Sequence, residues 1–257
     1  MNLPLAGRRV LVTRAAHQAG KLSDALLELG ATPVEVPVLE IRPPQSYEAL
    51  DRSLLQMETY DWLILTSANA AQALLERAAH LGIQLDQMVT MKVAAIGPGT
   101  ASAVQKTKLA ITVLPEVHVA EGLAGALEAQ IIGKHVLLAR AAIARDVLPD
   151  ALRAAGAQVD IVDAYRNVLP EAAPGQLRLA LEQGIDAATF TSSSSVTHLK
   201  EAAEMAGIAF PLAGVPAVSI GPITSRTLRE HGWEPEGEAK PSDIRGLVAA
   251  VRQIFPR

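Results

Sequence analysis

The 257-residue sequence predicts an α/β protein of two similar domains, each a doubly wound parallel sheet. Three observations predict it. Short apolar runs alternate with helical stripes along the chain. Hydrophobic residues make up 49% of the chain and aromatics only 3%, so the apolar mass is Ala, Leu, Val and Ile, which suits parallel sheets covered by helices. The pattern also restarts in mid-chain, and two copies are too few for a solenoid.

The elements follow in order. After Gly7, residues Arg8 to Thr13 form a strand, and Leu22, Ala25, Leu26 and Leu29 share one helical face that Gly30 ends. A strand follows over Pro33–Val38, then the break at Pro43 and Pro44, and a helix over Tyr47–Met57. Next come a strand over Trp62–Leu65, a helix from about Asn69 to His80, and a strand over Val93–Ile96. The turn Gly97-Pro98-Gly99-Thr100 opens a short helix, and Glu121–Gln130 reads as another.

The second copy begins at Gly133. Gly133 to Arg140 repeats Gly7 to Arg14 at an offset of 126, and Asp150-Ala151-Leu152 and Gly156-Ala157 continue the match without a gap. Asp61 and Thr66-Ser67 recur as Asp186 and Thr191-Ser192 at offset 125. Ile96-Gly97-Pro98, Thr100 and Gly122-Leu123 recur as Ile220-Gly221-Pro222, Thr224 and Gly246-Leu247 at offset 124. Such constancy marks an internal duplication.

Composition excludes several functions. There is no cysteine, hence no disulfide or thiolate site, and the six histidines are scattered without a metal-type pair. No apolar run approaches the length of a membrane span, and Met1 to Leu5 lack the features of a signal peptide, so the expectation is a cytoplasmic protein with no membrane partner. A net charge of −4 without a basic run disfavours nucleic acid. There is no Gly-x-Gly-x-x-Gly after the first strand, no P-loop and no Gly-x-Ser-x-Gly elbow.

Candidate ligand groups fall at strand ends, where doubly wound sheets bind ligands. Thr191-Ser192-Ser193-Ser194-Ser195 lies between an apolar strand and a helix, and Thr66-Ser67-Ala68-Asn69 is its twin. Each reads either as an N-cap or as a cradle of backbone N–H groups for an anion. Gly97, Thr100, Gly221 and Thr224 belong to the third pair of turns, and Thr13 and Arg14 to the first. Arg14 and Arg140 read as carboxylate or phosphate ligands, or as surface ion pairs. Asp61 and Asp186 precede their strands, so they belong at the opposite sheet edge in a structural role. Tyr165, in the extended stretch Val162–Val168, reads as a general acid or as a half-buried strand residue.

Taken together, these motifs resemble the uroporphyrinogen-III synthase family. The residues that carry the resemblance are Val10 to Arg14, Asp61 with Thr66 to Asn69, Ile96 to Thr100, and Arg140 with Arg145 and Leu148. Ala164-Tyr165-Arg166, Phe190 to Ser193 and Ser219 to Thr224 complete the set. It spans almost the whole chain in order. Ala141 departs from a common glycine, and Ile223 from an expected hydroxyl residue.

The resemblance implies two similar flavodoxin-like domains with parallel sheets, joined by a two-stranded linker, with a cleft between them. Residues 1–37 plus 169–257 would form one domain and 42–163 the other, with linkers about 36–42 and 161–169. A split near residue 132 is then not expected. The implied reaction closes hydroxymethylbilane to uroporphyrinogen III, inverting ring D through a spiro intermediate. It needs no cofactor and no metal, and works mainly by positioning the substrate. The implied catalytic residue is Tyr165. Substrate binding is expected from Thr13, Arg14, Thr66, Ser67, Ala68, Asn69, Gly97, Thr100, Arg140, Thr191, Ser192, Ser193, Ser194, Gly221 and Thr224, in a monomer. Two rival readings remain: a non-enzymatic two-domain sensor of a small anionic ligand, and a flavin-binding electron carrier. The second has little support, since the turns lack closely spaced aromatics.

Overall fold

The computed structural model describes residues 3–85, 91–106 and 109–255. Along the chain run β1 (Arg9–Val12), α1 (Ala16–Glu28), β2 (Thr32–Glu35), β3 (Glu40–Arg42), α2 (Glu48–Leu55), β4 (Trp62–Leu65) and α3 (Ala68–His80). These are followed by β5 (Lys92–Ala95), α4 (Pro98–Gln105), α5 (Ala120–Leu127), β6 (His135–Ala141), α6 (Val147–Ala154) and β7 (Gln158–Val168). The last group is α7 (Ala173–Glu182), β8 (Ala187–Phe190), α8 (Ser193–Met205), β9 (Ala217–Ser219), α9 (Pro222–Glu230), β10 (Pro235–Glu238) and α10 (Ile244–Gln253). The helices expected over Tyr47–Met57 and Glu121–Gln130 each end in a separate 3-10 turn, Met57–Thr59 and Glu128–Gln130. The strand expected over Pro33–Val38 stops at Glu35, although the Val36 and Val38 N–H groups still donate to the Val12 and Thr13 carbonyls.

The chain divides into two compact units, Met1–Glu40 with Val168–Arg257, and Ile41–Asn167. In the first unit the sheet order is β2-β1-β8-β9-β10, and every pairing is parallel. This is the doubly wound order of flavodoxin-like folds. In the second unit the order is β3-β7-β6-β4-β5, with the β7–β6, β6–β4 and β4–β5 pairs parallel. A parallel bridge from Ala94 to Val113 lies at its far edge, at the repeat position of β10. Each sheet thus draws on both copies of the duplication: β1 and β2 join β8, β9 and β10 in the first unit, and β6 and β7 join β3, β4 and β5 in the second. A cut near residue 132 would divide both sheets.

Alternation along the central strands builds two cores in each unit. In β1, Val10 and Val12 pack with Leu22, Leu26, Leu247 and Val251, whereas Leu11 packs with Phe190, Val196 and Leu228 on the other face. In β4, Leu63 and Leu65 face Leu50, Leu54 and Leu74, and Trp62 and Ile64 face Leu123, Leu138 and Leu152. All four β4 side chains are buried, as a strand covered on both faces requires.

The amino edges are clamped alike. Asp61 accepts from the His135 N–H at 2.9 Å and from Lys134 at 3.0 Å, tying β4 to β6. Asp186 accepts from the Arg9 N–H at 2.8 Å and from Arg8 at 3.1 Å, tying β8 to β1. Both aspartates are structural.

Candidate functional site

In the first unit, β1, β8 and β9 are neighbours, so the turns after them share one sheet edge. The Thr13 hydroxyl donates to the Thr189 carbonyl and the Thr189 hydroxyl to the Leu11 carbonyl, both at 2.8 Å. This buried exchange pins the turn carrying Arg14 beside the serine turn. Ser192 is the N-cap of α8, its hydroxyl accepting the Ser195 N–H at 3.1 Å in a capping box. The cap takes the donor of the third helical residue and leaves those of Ser193 and Ser194 without a protein acceptor among the described residues. One turn therefore carries both the cap and two open donors. Residues 191–194 are half-buried, and Thr227 on α9 steadies Ser193 by donating to its hydroxyl at 2.8 Å.

In the second unit, β6, β4 and β5 are neighbours, and β7 flanks β6. Ser67 is the N-cap of α3 and accepts the Ala70 N–H at 3.0 Å. The Ala68 N–H, at the first helical position, lies on the exposed lip of the same turn as Thr66 and Asn69. The Ser67 hydroxyl also meets the Tyr165 phenol at 3.2 Å. Tyr165 is only 6% exposed, with its ring in the core of this unit and its hydroxyl at the helix end. Gly97 and Gly221 are backbone N-caps of α4 and α9, each followed by proline at the first helical position.

The two repeat-related arginines diverge. Arg14 is half-buried and, among the described residues, reaches only the neutral Gln18 side chain, at 3.3 Å. Burial pulls its guanidinium below the ordinary arginine value. Arg140 is already committed, donating to Asp146 at 2.7 Å and to the Arg145 carbonyl at 3.1 Å. Its Nε is buried without an acceptor among the described residues. Arg14 thus has no acidic partner among the described residues, whereas Arg140 braces the turn after β6.

The hydroxyls of Thr100 and Thr224 are expected to donate to a ligand; the two residues are 5% and 4% exposed and lie on the buried faces of α4 and α9. Arg140, expected as a carboxylate ligand, meets Asp146 and the Arg145 carbonyl in this structure. Sequence reading missed Gln18, Asp146 and Thr227. Gln18 stands four residues after Arg14, a helical spacing that signals the contact. Asp146 and Thr227 act through loop closure and helix packing, for which no local pattern exists.

Fold and strand-end donors define a two-unit α/β protein of flavodoxin-like topology, with hydroxyl turns and helix N-termini gathered at the carboxyl edges of its sheets. A family model described as uroporphyrinogen-III synthase HemD matches residues 20–249. The chain is 33% identical to the uroporphyrinogen-III synthase of Synechococcus elongatus over 255 residues, covering 97% of this chain and 96% of that one. A crystal structure of a mutant uroporphyrinogen III synthase from the extremely thermophilic bacterium Thermus thermophilus is similar at a TM-score of 0.69 and 21% identity, covering 96% and 98% of the two chains. The enzyme from Helicobacter pylori is similar at a TM-score of 0.66 and 18% identity, with 96% and 99% covered. At these identities the structures establish the fold, and the sequence matches establish the family. The chain belongs to the uroporphyrinogen-III synthase family, hydro-lyases of porphyrin biosynthesis, and its activity is that synthesis. The family implies hydroxymethylbilane as the substrate. Among the described residues, no helix is long and apolar enough to cross a membrane.

Proposed function

We propose that turns at the carboxyl edges of the sheets grip carboxylates of hydroxymethylbilane and so set the geometry of ring closure. The observation that carries this reading is the pair of N–H groups on Ser193 and Ser194, unmatched among the described residues, on the same sheet edge as the half-buried Arg14, which has no acidic partner among them. Each helix N-terminus stabilises a nearby anion by roughly 0.3–1 kcal/mol. The substrate carries eight carboxylates, so several small contacts add up to a firm grip. Thr13, Thr66, Ser67, Ala68, Asn69, Gly97, Thr191, Ser192 and Gly221 shape these turns or lend backbone groups to them. Thr100 and Thr224 serve from beneath, as buried helix residues.

In the chemistry so framed, the bilane loses its terminal hydroxyl to give an azafulvene. Ring D attacks through its substituted carbon, forming a spiro intermediate whose fragmentation and reclosure invert the ring. Without such control the bilane closes to isomer I, so the protein's task is to make one attack geometry win. Orientation of this kind is worth up to about 7–11 kcal/mol in favourable cases. It calls for few acids or bases. Tyr165 takes the role of proton donor to the departing hydroxyl, with Ser67 holding the phenol. The chain acts as a cytoplasmic monomer in this reading.

The test is an isomer assay. The protein is incubated with hydroxymethylbilane and the product is resolved into isomers I and III. An excess of isomer III over the protein-free blank is expected, and isomer I alone would refute the reading in favour of a ligand sensor.

A further inference from the structure

A cavity lies on the flank of the first unit. Helix α10 carries Arg245, Ala249 and Arg252 on one stripe, at i, i+4 and i+7. Beside that stripe opens a cavity of about 550 Å³, within the 300–1,000 Å³ or so typical of small-molecule sites. Pro4, Leu29, Val248, Ala249 and Phe255 supply its apolar lining, and Gln253 lines it beside the two arginines. The Arg8 guanidinium sits 4.5 Å over the Phe255 ring and holds it in place. Leu29 ends α1 and Pro4 precedes β1, so the cavity reaches the amino edge of the sheet, whereas the substrate turns lie at the carboxyl edge.

The charges give the cavity a direction. Arg245 and Arg252 are exposed, and neither has a hydrogen bond or ion pair among the described residues. Seven residues separate them, about 10 Å along the helix axis at 1.5 Å per residue. Surface arginines commonly lay their stems on apolar ground and leave their heads in water. Here both arginines line the cavity, and Ala249, between them on the stripe, lines it with a small side chain. The net charge of the chain is −4, yet neither guanidinium has taken an acidic partner among the described residues. Two cations two turns apart, with an apolar trough between them, complement a slender apolar molecule ending in acid groups.

We propose that this cavity is a binding site for a linear dicarboxylate with an apolar body, independent of the synthase site. The trough takes the methylene chain and the arginines take one carboxylate each. The test is calorimetric titration of the full chain with decanedioate, with decanoate and inorganic phosphate as comparison probes. Decanedioate is expected to bind, decanoate at least about tenfold more weakly for the lost charged hydrogen bonds, and phosphate not at all. Ala249→Phe, which fills the trough, and Arg252→Gln, which removes one head, should each weaken decanedioate by about tenfold or more. Both variants should leave isomer III formation unchanged. Absence of binding at millimolar decanedioate overturns the proposal. So does binding that Arg252→Gln leaves intact, since the ligand would then sit elsewhere.

Discussion

The Ser67 hydroxyl stands 3.2 Å from the phenol oxygen of Tyr165 while accepting the Ala70 N–H at 3.0 Å. One serine therefore caps α3 and positions the candidate acid. Its hydroxyl is shared between a helix end and a phenol that strand β7 delivers from 98 residues away.

Tyr165→Phe removes the phenol and keeps the packed ring. General acids typically contribute about 10²–10⁴-fold, and positioning does most of the work here, so a fall in kcat near the lower end is expected, with isomer III still the product. Single-turnover kinetics with isomer analysis checks this. Complete loss of turnover in a folded variant would show that protonation dominates. Ser67→Ala should lower kcat as well and also cost about 1 kcal/mol of stability as a lost N-cap.

Arg14 and Arg140 should respond differently to the same change. Arg14→Gln deletes an uncompensated cation, and a charged hydrogen bond is worth about 1.5–3 kcal/mol. A KM increase of roughly tenfold or more is expected, with little change in thermal stability. Arg140→Gln releases Asp146 and the Arg145 carbonyl, so it should raise hydrogen exchange across residues 141–146 and leave KM nearly unchanged. Equal KM effects in the two variants would contradict this division of labour.

Ser193 offers a backbone test. It is the first residue of α8, and Ser192 before it is extended at φ −167° and ψ 161°, which proline tolerates. Ser193→Pro should fold normally by circular dichroism. It lacks one N–H donor and the contact from Thr227, so kcat/KM should fall several-fold. Thr191→Ala keeps every backbone donor and should cost little. Normal turnover in Ser193→Pro would remove the cradle from the mechanism.

The repeated glycines Gly122 and Gly246 are fixed by close approach. A Cβ at Gly246 would lie 2.0 Å from the Pro241 carbonyl oxygen, and one at Gly122 would lie 2.1 Å from that of Val117. Gly246→Ala should destabilise by about 1–3 kcal/mol, as overpacking does. Gly175, inside α7 with nothing within 4 Å, is the control, and its alanine variant should be neutral or slightly stabilising. Thermal melts compare them.

Acid sensitivity should come in part from Asp51 and Asp61. Paired hydrogen bonds from Arg77, at 2.6 Å each, hold the Asp51 carboxyl below its usual range. The His135 N–H and then Lys134 do the same for Asp61. A depressed folded-state value means the unfolded chain binds more protons, so this stability is intact above the unfolded carboxylate range and is lost below about pH 4. Asp51→Asn should give a shallower acid limb in denaturant titrations and leave the slope near neutrality unchanged. An unaltered acid limb would mean the pair is silent.

Much of this protein could be read from order and spacing. The α/β class, the duplication, the turns at Thr66–Asn69 and Thr191–Ser195, and the structural aspartates all rest on local patterns. Strand ends, caps and repeats are written within a few residues of one another, and the family resemblance rests on the same local motifs. What only the tertiary structure decided depends on groups far apart in sequence. It buried Thr100 and Thr224 beneath their helices, committed Arg140 to Asp146, and left Arg14 uncompensated. Two arginines with matching sequence neighbours thus acquired opposite roles: a guanidinium's availability depends on which acid the fold brings to it, and that distance exists only in three dimensions.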